Sequence, residues 1–342
     1  MVGLANELAR RGEPVGLAVI DGRSPSAYVL DERVVVRGLA SGGVLGFLAA
    51  TLRLGRIVRR AEVVYSLLDI ANVMAAVATI GSGARVVWGV RSAGIADGAA
   101  ARVALWLSRL LSRRVTVMIG NAQACLDFYA AHGVRPDRRI VVANGIDVDD
   151  WRPDPTARAA LRRELGLGDD VFLVGFVARA DRAKRHDLLL NALRLCPESV
   201  HLVLVGRGTD VRGGSIDACI DALGVRQRVH ALGERRDVPR LTAAFDLACC
   251  ASAYEGFPNS VLEGLASGVC CIASDVGGAR DVLGDAGVVV GADSVEEWAR
   301  AINTLREDPA KCAILAQAGR RRAETRFSMR AMVDATLAAI GA

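Results

Sequence analysis

Short, strongly apolar runs alternate with longer amphipathic stretches along most of the chain. This alternation is typical of βαβ units, which build parallel sheets. In the first half the predicted strands are Val15–Ile20, Arg33–Val36, Val63–Leu67, Arg85–Val90, Val115–Ile119 and Ile140–Ala143. In the second half they are Phe172–Val177, His201–Val205, Arg228–Leu232, Leu247–Cys250, Cys270–Ser274 and Val288–Val290.

Twelve strands exceed the usual size of one sheet, and 342 residues favour two domains. We therefore predict an α/β fold of two doubly wound parallel-sheet domains. The boundary is expected after the run Asn-Gly-Ile-Asp at 144–147, where a polar stretch carries Pro153 and Pro155. The predicted segments are 1–150, 151–325 and a terminal helical segment, 326–342.

The helical stretches include Met1–Arg11, Thr156–Leu165, Lys184–Leu195 and Val295–Arg306. The first of these is unexpected, because a Rossmann-like half should open with a strand and a glycine-rich turn. We therefore expect the first sheet to lack an element, through truncation, a misassigned start or its loss.

Composition narrows the classes of protein. The chain is 52% apolar, and its 43 basic and 38 acidic residues give a formal charge of +5. These values exclude a disordered protein, and they argue against nucleic acid as a partner, because no concentrated basic stripe is evident. The longest apolar stretch, Val63–Ile80, contains Asp69 and Asn72, so we expect no membrane span.

Cysteine and histidine give no metal signature. The eight cysteines form no C-x-x-C pair, and the four histidines are scattered. A zinc site needs clustered cysteine and histidine, so we predict no bound metal. Free buried thiols and the lack of a secretory signal pattern at the start favour a cytoplasmic protein.

The strongest chemical signal is AYEGFPNSVLE, at positions 253–263, shortly after a predicted strand. Ligands of open α/β sheets bind beyond the carboxyl ends of strands, so Glu255 is well placed. Gly256 allows close backbone approach and Pro258 suits a helix start, whose free amides favour an anion. Glu263 lies one turn beyond Asn259, on the same helix face. The alternative is an ordinary loop acid and a solvated helix residue, which this placement makes less favourable.

A second signal follows the strand Phe172–Val177. Arg179 lies in the loop and Lys184 at the predicted helix start, and lysine is otherwise found only at Lys311. Two cations at a strand's carboxyl end suit a diphosphate, with arginine bidentate and lysine a point charge. A solvated basic loop is the alternative in so arginine-rich a chain.

Weaker signals come from glycines and an arginine at other strand ends. Gly206 follows His201–Val205, and Gly277 follows Cys270–Ser274, where a ligand could touch the backbone. Each signal is weak alone, and an ordinary tight turn explains each better than a ligand does. Arg91, after Arg85–Val90, is a candidate for an interdomain cleft or a plain surface arginine.

Taken together, these segments resemble the retaining glycosyltransferases of family 4. EGFPNSVLE matches the family's E-x7-E motif, and VARADRAKRHDLLL, LVLVGRG, SDVGGARDVLGDAGVVV and VWGVRSAG agree in order and spacing. The resemblance implies the GT-B fold, two facing Rossmann-like domains with a cleft between them. It also implies transfer of a hexose-type sugar, with retention, from a UDP- or GDP-linked donor to a glycan or lipid-linked acceptor in bacterial surface polysaccharide assembly.

The resemblance also assigns roles. Arg179 and Lys184 would neutralise the diphosphate, Glu255 would contact the donor sugar, and Glu263 would hold the ribose hydroxyls. The backbone of Gly256, Phe257, Pro258 and Asn259 would help to hold sugar and phosphate, although proline donates no N–H. Family members with this fold usually need no bound metal.

Two departures from the family favour an alternative function. By comparison with the family, we expect the first strand with its glycine-rich loop to be missing before Met1. Arg91 stands in the segment where many relatives carry a histidine. A catalytically impaired GT-B protein would bind nucleotide or partners without turnover. A nucleotide-sugar epimerase is a third option, which the E-x7-E form disfavours.

Contact with a membrane surface is a separate hypothesis. Arg53, Arg56, Arg59 and Arg60 follow or end the apolar stretch Leu45–Leu54, and could face anionic lipid at the inner side of the cytoplasmic membrane. A helix packed on the sheet with its polar side in water is the alternative.

Overall fold

The computed structural model describes residues 1–20, 29–39, 42–94 and 98–341. The chain divides into two compact units. The first unit comprises Met1–Gly145 and Met329–Ala342, and the second comprises Ile146–Ser328.

The first unit places its strands in two parallel sheets, a pair β1–β2 and a four-stranded sheet in the order β3-β4-β5-β6. Its strands are β1 (Gly16–Val19), β2 (Val35–Gly38), β3 (Val63–Leu67), β4 (Arg85–Val90), β5 (Val117–Gly120) and β6 (Arg138–Val141). Its helices are α1 (Val2–Arg10), α2 (Gly43–Ile57), α3 (Asp69–Ala78), α4 (Ala99–Leu111), α5 (Gln123–Ala131) and, from the end of the chain, α14 (Met329–Ile340).

Alternation along the strands covers both faces of the four-stranded sheet. Trp88 and Met118 pack on one face with α5, and Val87 and Ile119 pack on the other face, where α14 covers them. The terminal helix is held to this unit by an ion pair between Arg11 and Asp334 at 2.5 Å.

The second unit is one six-stranded parallel sheet between helices. Its strands are β7 (Phe172–Val177), β8 (Val200–Val205), β9 (Val229–Gly233), β10 (Leu247–Cys250), β11 (Cys270–Ser274) and β12 (Val288–Val290). Its helices are α6 (Ala157–Leu165), α7 (His186–Arg194), α8 (Ser215–Leu223), α9 (Val238–Ala243), α10 (Asn259–Ala266), α11 (Ala279–Leu283), α12 (Val295–Glu307) and α13 (Pro309–Arg326).

The strand order β12-β11-β10-β7-β8-β9 creates a topological switch point. The chain runs outward from β7 to β9 and then returns to lay β10 against the other side of β7. Loops after β7 and β10 therefore diverge to opposite faces and leave a crevice at their carboxyl ends. Glycine is needed at position 175 in the central strand β7, because a side-chain carbon there would lie 1.9 Å from the Phe245 ring.

Some predicted boundaries were wrong. The helix predicted as Lys184–Leu195 begins at His186, because Arg185 takes a left-handed φ of 54° after a 3-10 turn, Arg182–Lys184. The structure places β6 two residues earlier than predicted and β2 two residues later. Both strands pair on one side only and carry exposed residues, so their apolar signal is weak.

Two findings concern the hydropathy and the thiols. All eight cysteines are free, and six of them are buried. Across the part of the chain that the structure describes, no helix combines the length and apolar character needed to cross a membrane.

Candidate functional site

Four loops meet at one edge of the second sheet. They follow β8, β7, β10 and β11, which are neighbours in that order, and parallel strands end at the same edge. The loop after β7 carries Arg179 and Lys184, and the loop after β10 carries Glu255. The topology thus brings residues more than seventy positions apart to the switch point.

Lys184 and Glu255 contact each other directly. Lys184 Nζ lies 2.5 Å from Glu255 Oε1, and the side chains are only 26% and 15% exposed. The loops are also joined by their backbones, because the amide of Ala253 donates to the carbonyl of Ala183 at 2.8 Å. This backbone hydrogen bond holds the two loops together and so keeps the two charged side chains next to each other.

Ser252 orients the same carboxylate. Its hydroxyl is fully buried and donates to Glu255 Oε1 at 2.7 Å. Lys184 and Ser252 both contact Oε1, so Glu255 Oε2 has no hydrogen-bond partner among the described residues. One carboxylate oxygen is held in place and the other can accept from a ligand hydroxyl.

Glycines of the loop after β11 clasp the backbone of Glu255. Gly277 has a φ of 53°, and a side-chain carbon there would lie 2.0 Å from the Glu255 carbonyl oxygen. The amide of Gly278 donates to the carbonyl of Gly256 at 2.9 Å. Glycine is thus needed at position 277 to seat the E-x7-E segment, and the amide of Gly278 adds a backbone hydrogen bond.

Gly206 has a comparable role after β8. Its φ is 143°, and a side-chain carbon there would lie 2.3 Å from the Ala178 carbonyl oxygen. The backbone of Ala178 and Arg179 therefore occupies the space next to Gly206 where a ligand was predicted to touch the backbone.

Arg179 is more exposed than Lys184. Its side chain is 60% exposed and lies 3.0 Å from Asp181. The Asp181 carboxylate accepts from the amide of Ala183, and this hydrogen bond, with the charge of Arg179, lowers the Asp181 pKa. Arg179 is therefore near the pair but is not joined to it.

The start of α10 offers backbone donors. The amides of Gly256 and Phe257 donate to no acceptor among the residues that the structure describes. Phe257 is buried against Phe327, with ring centroids 6.0 Å apart, and Pro258 precedes the first helical residue. Asn259 is exposed. The helix N-terminus adds partial positive charge to these amides.

Glu263 is the second carboxylate of the segment. Burial raises the pKa of its carboxyl from 4.5 to about 7. No hydrogen bond or ion pair joins its side chain to another residue in the described ranges. A half-buried acid without a partner among the described residues is suited to accept hydroxyl groups from a ligand.

Arg91 lies in the first unit. Its guanidinium donates to Asn144 Oδ1 at 2.7 Å and to the Tyr65 hydroxyl at 3.2 Å. These contacts show a partly buried, positioned arginine, whereas the sequence left open a plain surface residue.

Several residues were missed by the sequence analysis. Ser252 had a usable signal, a hydroxyl three positions before Glu255. His186 had none: it is buried against Phe176, with ring centroids 4.8 Å apart, and burial lowers its pKa to about 4. His201 and His230, treated as scattered, lie 3.0 Å apart between Nδ1 and Nε2. Within the described ranges no three His, Cys, Asp or Glu side chains are placed to hold a metal ion.

Both halves of the chain match family models. The model described as "Glycosyl transferases group 1" matches residues 157–322, and the one described as "Glycosyltransferase Family 4" matches residues 1–150. Anabaena HepE, solved with UDP and glucose, is 25% identical, with a TM-score of 0.82 over 99% of this chain and 94% of that one. The chain has the GT-B fold, and each half resembles a glycosyltransferase family. The predicted fold is thereby confirmed.

Further GT-B structures and sequence relatives agree. Sucrose-phosphate synthase from Thermosynechococcus elongatus shares the fold, at 19% identity and a TM-score of 0.84 over 97% of this chain and 90% of that one. The D-inositol 3-phosphate glycosyltransferase of Xylanimonas cellulosilytica is 38% identical over 213 residues, covering 59% of this chain and 50% of the relative. That of Rhodococcus jostii is 35% identical over 221 residues, covering 60% and 48%. The chain spans about half the length of the curated relatives it matches.

Proposed function

We propose that the chain transfers a hexose-type sugar, with retention, from a UDP- or GDP-linked donor to a glycan or lipid-linked acceptor. The single observation that carries this proposal is the Lys184–Glu255 pair at the switch point, with Glu255 Oε2 uncommitted. HepE, solved with UDP and with UDP-glucose, supports a UDP-linked donor.

The donor roles follow from the charges. Lys184 and Arg179 bind the diphosphate, and the amides of Gly256 and Phe257 add donors at the start of α10. Glu255 Oε2 accepts from a sugar hydroxyl. Glu263 accepts the ribose hydroxyls, while Pro258 and Asn259 shape the helix start.

Two further residues support the site. Gly206 keeps the loop after β8 close to the Arg179 loop. We assign Arg91 of the first unit to substrate binding, on its positioned guanidinium.

The reaction step is a substitution at the anomeric carbon. The carbon–oxygen bond to the diphosphate breaks, and negative charge builds on the leaving group, where prepositioned cations stabilise it. Each well-aimed donor contributes roughly 3 kcal/mol, about a hundredfold in rate. For retention, the acceptor oxygen attacks the face that the diphosphate leaves, and its proton passes to the departing phosphate.

Besides a glycan, the acceptor has two candidates. A lipid-linked acceptor is met at the inner face of the cytoplasmic membrane, and we extend the proposal to a cytoplasmic protein in peripheral contact with that surface, in surface polysaccharide or lipid-glycan assembly. The second candidate is a phosphorylated inositol, because both relatives described above are D-inositol 3-phosphate glycosyltransferases.

Calorimetry with UDP and GDP, combined with transfer and donor-hydrolysis assays, tests the proposal. Binding with sugar transfer, and an α-linked product from an α-linked donor, is the expected result. Nucleotide binding without turnover would favour the impaired binding protein instead, and no binding to either nucleotide would contradict both functions.

A further inference from the structure

The helices α2 and α4 expose apolar side chains at helical spacing. On α2 these are Leu45, Leu48 and Leu52, which are 82%, 54% and 68% exposed; on α4 they are Val103, Trp106 and Leu110, which are 54%, 58% and 56% exposed. In each trio the second and third residues lie three and seven positions after the first, so each trio forms one stripe. The opposite sides of both helices are buried, as Leu54 and Ala104 show.

The helix α3 connects these stripes. It packs against both α2 and α4, and it exposes Ile70 and Val77, which are seven positions apart. The helix α3 connects β3 to β4, and α4 connects β4 to β5. Because such crossovers are right-handed, both helices lie on one face of the sheet. We call the exposed side chains of α2, α3 and α4, with the arginines that follow, the basic apolar face.

The charge of this face is entirely positive along α2 and α4. Residues 42–60 and 98–114 contain no Asp or Glu. They contain eight arginines, all exposed: Arg53, Arg56, Arg59, Arg60, Arg102, Arg109, Arg113 and Arg114. In the part of the chain that the structure describes, none of the eight forms an ion pair with a carboxylate. The formal charge of the chain is +5, so the remainder carries a net −3.

We infer that the basic apolar face docks on an anionic lipid bilayer. Leucine and tryptophan side chains enter the boundary between headgroups and acyl chains, while guanidinium groups bind lipid phosphates. A second copy of the chain fits poorly, because a two-fold contact would set eight arginines against eight. Nucleic acid fits poorly too, because it offers the leucines no apolar surface. The inference deepens the proposed membrane contact, and it rests on that part of the proposed function.

Flotation of the full chain with vesicles tests the inference. We expect flotation with vesicles of equal parts phosphatidylcholine and phosphatidylglycerol, none with phosphatidylcholine alone, and partial release at high salt. The double variant Arg56→Gln, Arg113→Gln should partition about 30-fold more weakly, from the loss of two cations at the surface. Leu48→Gln combined with Trp106→Gln should also weaken binding.

Matched controls lie in the second unit. Arg163→Gln removes an exposed arginine and Ile314→Gln removes a 66% exposed isoleucine, and both variants should float like the unchanged chain. The inference would be overturned if all variants floated equally, if the chain bound vesicles made only of phosphatidylcholine, or if it floated with neither kind of vesicle. A dimer in sedimentation that the Leu48, Trp106 variant makes monomeric would also overturn it. Calorimetry with UDP should be unchanged in every variant, so failure here is distinguishable from failure of the proposed transfer.

Discussion

Replacing Lys184 is a direct test of the candidate site, because the other lysine of the chain, Lys311, serves as a control. Of the two lysines, Lys184 contacts Glu255 at 2.5 Å, whereas Lys311 is exposed on α13. In Lys184→Ala the leaving diphosphate loses one prepositioned cation, roughly 3 kcal/mol in the transition state. We expect the rate of transfer at saturating donor to fall about a hundredfold.

The fold should tolerate the change. Glu255 keeps the hydrogen bond from Ser252, and the lost pair is partly exposed, so the free energy of unfolding should fall by only about 1 kcal/mol. The assay compares kcat for Lys184→Ala, Lys311→Ala and the unchanged chain, with thermal unfolding of each. Unaltered kcat in Lys184→Ala, or an equal loss in Lys311→Ala, would show that Lys184 does not stabilise the leaving diphosphate.

Three other predictions concern the same site. Ser252→Ala should lower kcat about tenfold, because the Glu255 carboxylate loses its buried donor. The control Ser267→Ala removes a buried hydroxyl that has no hydrogen-bond partner in the described structure, and it should leave kcat unchanged. Equal effects of the two variants in steady-state kinetics would argue against a positioning role for Ser252. Glu263 has a folded-state pKa of about 7, above its ordinary 4.5, so its contribution to stability should fall as pH rises from 4.5 to 7, by roughly 3 kcal/mol, and level off above. Glu263→Gln should therefore raise Tm at pH 8 and leave it unchanged at pH 4, and a pH-independent Tm difference would contradict this assignment. Gly277→Ala places a carbon about 2 Å from the Glu255 carbonyl oxygen at a positive φ, and should lower Tm by several degrees and reduce UDP binding in calorimetry; a variant with unaltered Tm would show that the loop can move away.

The sequence predicted the second unit well because its central strands are continuous apolar runs. Strands such as Leu247–Cys250 and Cys270–Ser274 are buried on both faces, and this gives short runs in which every residue is apolar or small. The edge strands of the first unit were displaced, because exposed residues such as Arg138 and Val35 dilute that signal.

The candidate site was predicted in its members but not in their contacts. Glu255 and Lys184 were each identified from local sequence, but only the strand order makes them neighbours. The pairing of His201 with His230 and the buried hydroxyl of Ser252 depend on three-dimensional packing, which local patterns do not encode.

A structure of the chain with UDP-glucose bound would show whether the donor occupies the site formed by Lys184 and Glu255. We predict diphosphate oxygens within hydrogen-bond distance of Lys184, and a hydroxyl of the hexose at Glu255 Oε2. Density for the nucleotide at another edge of the sheet, or an undisturbed site after saturation with UDP-glucose, would contradict this prediction.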